Sequence, residues 1–132
     1  MKITADTNVL VRAIVLDDEV QTRAAEKELD RAELVALTLP ALCEFVWVLS
    51  RNYKLAHADI ATAVRKLLDA RNIMADRVAI EGGLAMLDAG GDFADGVIAD
   101  AGKWLGAETF VSFDKQAVRL LRARGEAARL PR

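Results

Sequence analysis

Residues 1–12 read MKITADTNVLVR. A short apolar run stops on Asp6, and a second apolar run begins at Val9. Residues 2–5 have the pattern of a short strand, and the stretch 9–15 reads as a helix start. Thr7 and Asn8 between them are turn and cap formers. An acid therefore stands where the chain passes between two segments that are ready for burial, and its place there needs a reason.

The same strand-then-helix rhythm continues along the chain. Residues 19–33 read as a polar helix with few large apolar residues. Residues 34–39, LVALTL, read as a buried strand, and Pro40 suits the first turn of the next helix. Leu42, Phe45, Val46 and Leu49 fall on one arc of that helix, and Ile60, Val64, Leu67 and Leu68 line one side of a helix over 57–71. Residues 73–80 are a weaker strand candidate. Residues 81–87 are expected to be helical, although Gly82 and Gly83 disfavour it. A helix follows with Asp92 as its cap and Gly106 near its end. TFVSF at 109–113 reads as a strand and 115–124 as a final helix. This alternation predicts an α/β fold, a parallel sheet flanked by helices on both faces, in a single domain spanning 1–132.

The 132 residues are 53% hydrophobic and 29% charged, enough for a real core in one domain. Aromatic residues are only 5%, so the core is expected to be mostly Ala, Leu, Val and Ile. The single cysteine, Cys43, rules out an intramolecular disulfide and suits a reducing cytoplasm. No signal-length apolar run follows the start, and no run of about 18 apolar residues would span a bilayer. The net charge of −2 conceals an asymmetry. Residues 17–33 hold seven acids and three bases, whereas 115–132 hold six bases and one acid. The basic tail reads as a solvated helix face or, with Arg119, Arg122 and Arg124, as a phosphate-contacting edge.

In an open parallel sheet, ligands bind at the carboxyl ends of the strands. Asp6 is expected at the end of the first strand and Asp114 at the end of the last. Glu44, in an otherwise apolar segment after Pro40, and Asp95 are expected near helix starts that face the same edge. Each has a plainer reading. Asp6 and Asp114 could form turns, Glu44 could complement a helix dipole, and Asp95 could pair with Asp92 in a cap. Four clustered carboxylates without a cation would repel, and oxygen ligands suit magnesium or manganese. With one His and one Cys, the chain has no zinc set, and His57 is expected to be exposed near a helix start.

The stretches ADTNVLVR, LPALCEFVWVL, DFADGVIA and FVSFDK, in this order, are similar to the four acidic motifs of PIN-domain ribonucleases. More closely they resemble the VapC toxins of bacterial toxin–antitoxin pairs. The resemblance covers nearly the whole chain. It implies that Asp6, Glu44, Asp95 and Asp114 form the catalytic set, with Asp6 and Asp95 as metal ligands. Thr7, Asn8 and Ser112 match the polar residues that support them. Gly96 departs from the Ala that the family usually carries after its third acid. The implied activity is Mg2+- or Mn2+-dependent hydrolysis of an RNA phosphodiester by water. The implied partners are tRNA, rRNA or mRNA, a cognate antitoxin and a second copy of the chain, with no membrane. Apolar surface for such a dimer is expected on residues 41–52 and 57–71.

Two other classes compete. A receiver-type phosphoacceptor needs its Asp at the end of a central strand, and the third strand candidate carries Asp76 inside it. A PIN-like module could also bind RNA or protein without cleaving it. Trp47 and Trp104 could stack on bases, but their apolar neighbours favour core or interface packing.

Overall fold

The computed structural model describes residues 1–132. The chain divides into two compact units, Met1–Asp76 and Arg77–Arg132.

The first unit runs β1 (Lys2–Thr4), α1 (Thr7–Ile14), α2 (Glu19–Arg31), β2 (Leu34–Leu37), α3 (Leu39–Arg51), α4 (His57–Leu68) and β3 (Ile73–Ala75). Its three strands pair in parallel in the order β1-β2-β3, with Ile3 opposite Val35 and Val35 opposite Ile73. Central β2 buries Val35 and Leu37 and half-buries Leu34 and Ala36, as a strand enclosed on both faces does. Strand β2 is shorter than the expected 34–39 because Thr38 leaves the ladder. Its hydroxyl accepts from the Ala41 backbone N–H and so caps α3, with Pro40 in the first turn. Leu42, Phe45, Val46 and Leu49 are buried from α3, and Ile60, Val64, Leu67 and Leu68 from α4. Asn72 closes α2 by donating to the carbonyls of Leu29 (2.7 Å) and Ala32 (3.0 Å).

The second unit runs α5 (Arg77–Asp88), α6 (Phe93–Trp104), β4 (Phe110–Val111), α7 (Lys115–Ala123) and β5 (Ala128–Arg129). Strands β4 and β5 pair in parallel, Phe110 opposite Ala128. Met86, Ala117, Val118, Leu121 and Ala128 form its core.

The third strand candidate is corrected here. Strand β3 ends at Ala75, and residues 78–80 belong to α5, so Asp76 follows the strand instead of lying inside it. A short apolar run does not reveal its own period. The two glycines that seemed to weaken α5 are explained by packing. A Cβ on Gly82 would come 3.0 Å from the Gly96 carbonyl oxygen and one on Gly83 would lie 2.6 Å from the Phe93 ring, while one on Gly96 would come 2.2 Å from the Gly82 carbonyl oxygen. Helices α5 and α6 meet backbone to backbone, which only glycine permits at that distance. Gly96 is therefore a packing residue as well as a departure from the resembled motif.

Residues 57–71 do not carry the expected spare apolar surface. The exposed positions of α4 are His57, Ala58, Asp59, Thr62, Arg65 and Lys66. No helix is long and apolar enough to cross a membrane.

Candidate functional site

Asp6 occupies the N-cap position of α1 with extended backbone (φ −75°, ψ 160°). That is the geometry in which an aspartate usually caps, and Asp18, Asp92 and Asp114 all do so at their own helices. Asp6 makes no capping bond, and its exposed carboxylate is left without a hydrogen-bond partner. A strong cap residue that does not cap is available for other work.

Thr7, the next residue, is buried, and its hydroxyl donates toward the Glu44 carboxylate (3.2 Å) and the Ala41 carbonyl (3.4 Å). The first unit thus ties Glu44 to the residue beside Asp6. Glu44 lies in the second turn of α3, whose first turn contains no acid, so the dipole explanation for it is set aside. Asn8 is exposed and lines a cleft of about 450 Å³ with Val9, Arg12, Gln21 and Glu28. Arg12 in that cleft is paired with Asp17 at 2.7 Å.

In the second unit, Asp92 caps α6 by accepting from the Ala94 N–H (3.2 Å). Asp95 is half-buried in the first turn of the same helix. Burial pushes its carboxyl above the ordinary carboxylate range, and the charges of Asp92 and Asp114 push it further. Asp114 caps α7 by accepting from the Ala117 N–H (3.1 Å). The Ser112 hydroxyl accepts from the Asp114 N–H (3.0 Å) and pins the backbone on which that acid stands. Three carboxylates therefore share one field at the starts of α6 and α7.

Within neither unit do three His, Cys, Asp or Glu side chains converge as a metal-binding group. The chemistry of the donors nonetheless suits a hard divalent cation. They are carboxylates, Asp6 is unpartnered, and Asp95 is held protonation-prone first by burial and then by the like charges of Asp92 and Asp114. His57 is exposed at the start of α4, as expected.

Two features escaped the sequence. Asp100 on α6 has a buried Oδ2 with no hydrogen-bond partner, in a cleft of about 280 Å³ that Glu81, Lys103 and Arg124 also line. Phe113, beside Asp114, is 86% exposed. Of the two packing roles expected for the tryptophans, the structure removes the core and leaves the interface untested. Trp47 and Trp104 are mostly exposed, Trp47 with the Arg51 guanidinium 5.8 Å from its ring centroid.

The chain is a parallel α/β fold with carboxylates at the starts of α1, α6 and α7. The PIN domain family model matches residues 3–122, and the chain belongs to that family. No curated protein matches the chain. PIN domains are typically nucleases, and family membership sets the receiver reading aside.

Proposed function

We propose that this chain is a magnesium- or manganese-dependent endoribonuclease, the toxin of a toxin–antitoxin pair, working as one PIN domain in the cytoplasm. The observation that carries the reading is the Asp6 carboxylate, set at an N-cap and spared from capping. Asp6 and Asp95 are the proposed metal ligands, and Glu44 and Asp114 complete the carboxylate set. When bound, a divalent cation lowers the pKa of a coordinated water and offsets charge on phosphate oxygens.

The protein's own residues do the positioning. Thr7 restrains the Glu44 carboxylate by a hydrogen bond from a buried hydroxyl. Asn8 extends the polar edge beside Asp6. Ser112 fixes the backbone at Asp114, and Asp92 keeps the start of α6 in place. The proposed partners are tRNA, rRNA or mRNA, a cognate antitoxin and a second copy of the chain. Exposed apolar side chains such as Trp47, Trp104 and Leu105 support a protein partner.

The test is direct. Pure protein is incubated with total cellular RNA and manganese, with and without excess EDTA, and the new RNA ends are sequenced. The expected result is cleavage at a restricted set of sites that EDTA abolishes. Cleavage that persists in EDTA contradicts the mechanism.

A further inference from the structure

Phe113 is the most conspicuous residue that the carboxylate site does not use. Its side chain is 86% exposed, one position before Asp114. Single exposed apolar residues are common on protein surfaces and by themselves signify nothing. Phe113 differs in how firmly its backbone is held. The Ser112 N–H donates to the Arg129 carbonyl at 3.1 Å, joining the end of β4 to β5. The Asp114 N–H donates to the Ser112 hydroxyl at 3.0 Å, and the Asp114 carboxylate caps α7. The residues on both sides of Phe113 are thus tied down while its ring stands in water.

The charge beside it points to an occupant. Lys115 and Arg119 lie one turn apart on α7, both exposed and neither in an ion pair. Arg122 is different, because its Nε donates to the Ala128 carbonyl at 2.7 Å. An exposed aromatic ring on a held backbone, two and six residues before exposed unpaired cations, is a combination that single-stranded nucleic-acid sites use. The ring takes a base face and the cations take phosphates.

We propose that Phe113 is a base-stacking platform for the RNA strand, with Lys115 and Arg119 holding the phosphates on either side of the stacked base. The proposal rests on the nuclease reading of Asp114 and names how the substrate strand is seated beside it.

The test measures binding with cleavage blocked. A fluorescent single-stranded RNA of about twelve nucleotides is titrated by anisotropy in EDTA with the wild type and with Phe113→Ala, Phe113→Leu and Phe113→Trp. Loss of one stack predicts about tenfold weaker binding by Phe113→Ala, near wild-type binding by Phe113→Trp, and a loss in Phe113→Leu despite its apolar bulk. An oligonucleotide with one abasic residue at the stacked position should bind the wild type and Phe113→Ala equally. Wild-type affinity in Phe113→Ala, or full affinity in Phe113→Leu, overturns the stacking role. Sedimentation in which Phe113→Ala converts a dimer to a monomer also overturns it, because a second copy then covers the ring. A wild type that cleaves RNA with manganese while Phe113→Ala binds normally removes this proposal alone. A wild type that cleaves no RNA removes the nuclease reading beneath it.

Discussion

The hydroxyl of Thr7 lies 3.2 Å from a Glu44 carboxylate oxygen and 3.4 Å from the Ala41 carbonyl oxygen. One proton serves two acceptors, so the hydroxyl links the backbone of α3 to the acid that α3 carries. Replacing Thr7 with Val keeps the shape and removes the donor. The expected cost in stability is about 1 kcal/mol, because a buried hydroxyl and its partner are both affected. RNA cleavage is expected to fall by roughly tenfold, the size of a lost hydrogen bond of about 1.4 kcal/mol. Thr7→Ser, which keeps the donor, should recover most of the rate. Equal rates for Thr7→Val and the wild type would show that Glu44 needs no restraint.

Gly96 supplies a stability prediction independent of activity. Its added Cβ would meet the Gly82 carbonyl oxygen at 2.2 Å, and backbone cannot rotate away as a side chain can. Gly96→Ala is therefore expected to cost about 1–3 kcal/mol by forcing α5 and α6 apart. A thermal melt should show a fall of several degrees. An unchanged melting temperature would contradict the close approach of the two helices.

The raised pKa of Asp95 gives a pH dependence with a definite sign. Burial first, then Asp92 and Asp114, disfavour its ionised form in the folded protein. The folded chain thus holds this proton more tightly than the unfolded chain does. The resulting stabilisation is fully present below the unfolded pKa and is lost as pH rises through the folded one. With a chelator present, Asp95→Asn should melt higher than the wild type at neutral pH, and the difference should shrink under acid. A variant that melts lower at neutral pH would show that this carboxylate is not under electrostatic pressure.

The capping role of Asp114 can be separated from its charge. Asp114→Ala removes the bond to the Ala117 N–H and is expected to cost about 1 kcal/mol. Asp114→Asn keeps an acceptor at that position and should melt near the wild type. Cleavage should fall in both. If Asp114→Asn retains full activity, the acid is a cap and nothing more.

Much of this arrangement was readable beforehand, for reasons visible in particular residues. The periodicity of Leu42, Phe45 and Leu49, and of Ile60, Val64 and Leu67, placed α3 and α4, because amphipathic helices repeat over several turns. Asp92 was readable as a cap because aspartate is among the preferred N-cap residues and a helical run follows it. The 73–80 segment was misread because three apolar residues, 78–80, fit a strand as well as a helix. Strand β5 was missed because two residues, Ala128 and Arg129, carry no pattern at all. Gly82 and Gly83 looked like helix weakeners and Gly96 like a bare departure from a motif, since the contact they allow is between helices. The acids could be listed from sequence, but not that Asp6 leaves its helix uncapped or that Thr7 reaches Glu44. The exposure of Phe113 was likewise invisible, since an aromatic in an apolar strand pattern reads as core.

The central claim is that Asp6 is kept free to serve catalysis. It is tested most directly by purifying Asp6→Asn beside the wild type and measuring melting and manganese-dependent RNA cleavage on the same samples. Because the Asp6 side chain makes no capping bond, the variant should melt within about 0.5 kcal/mol of the wild type. Its cleavage should be lost. A folded Asp6→Asn that cleaves RNA at the wild-type rate would contradict the account.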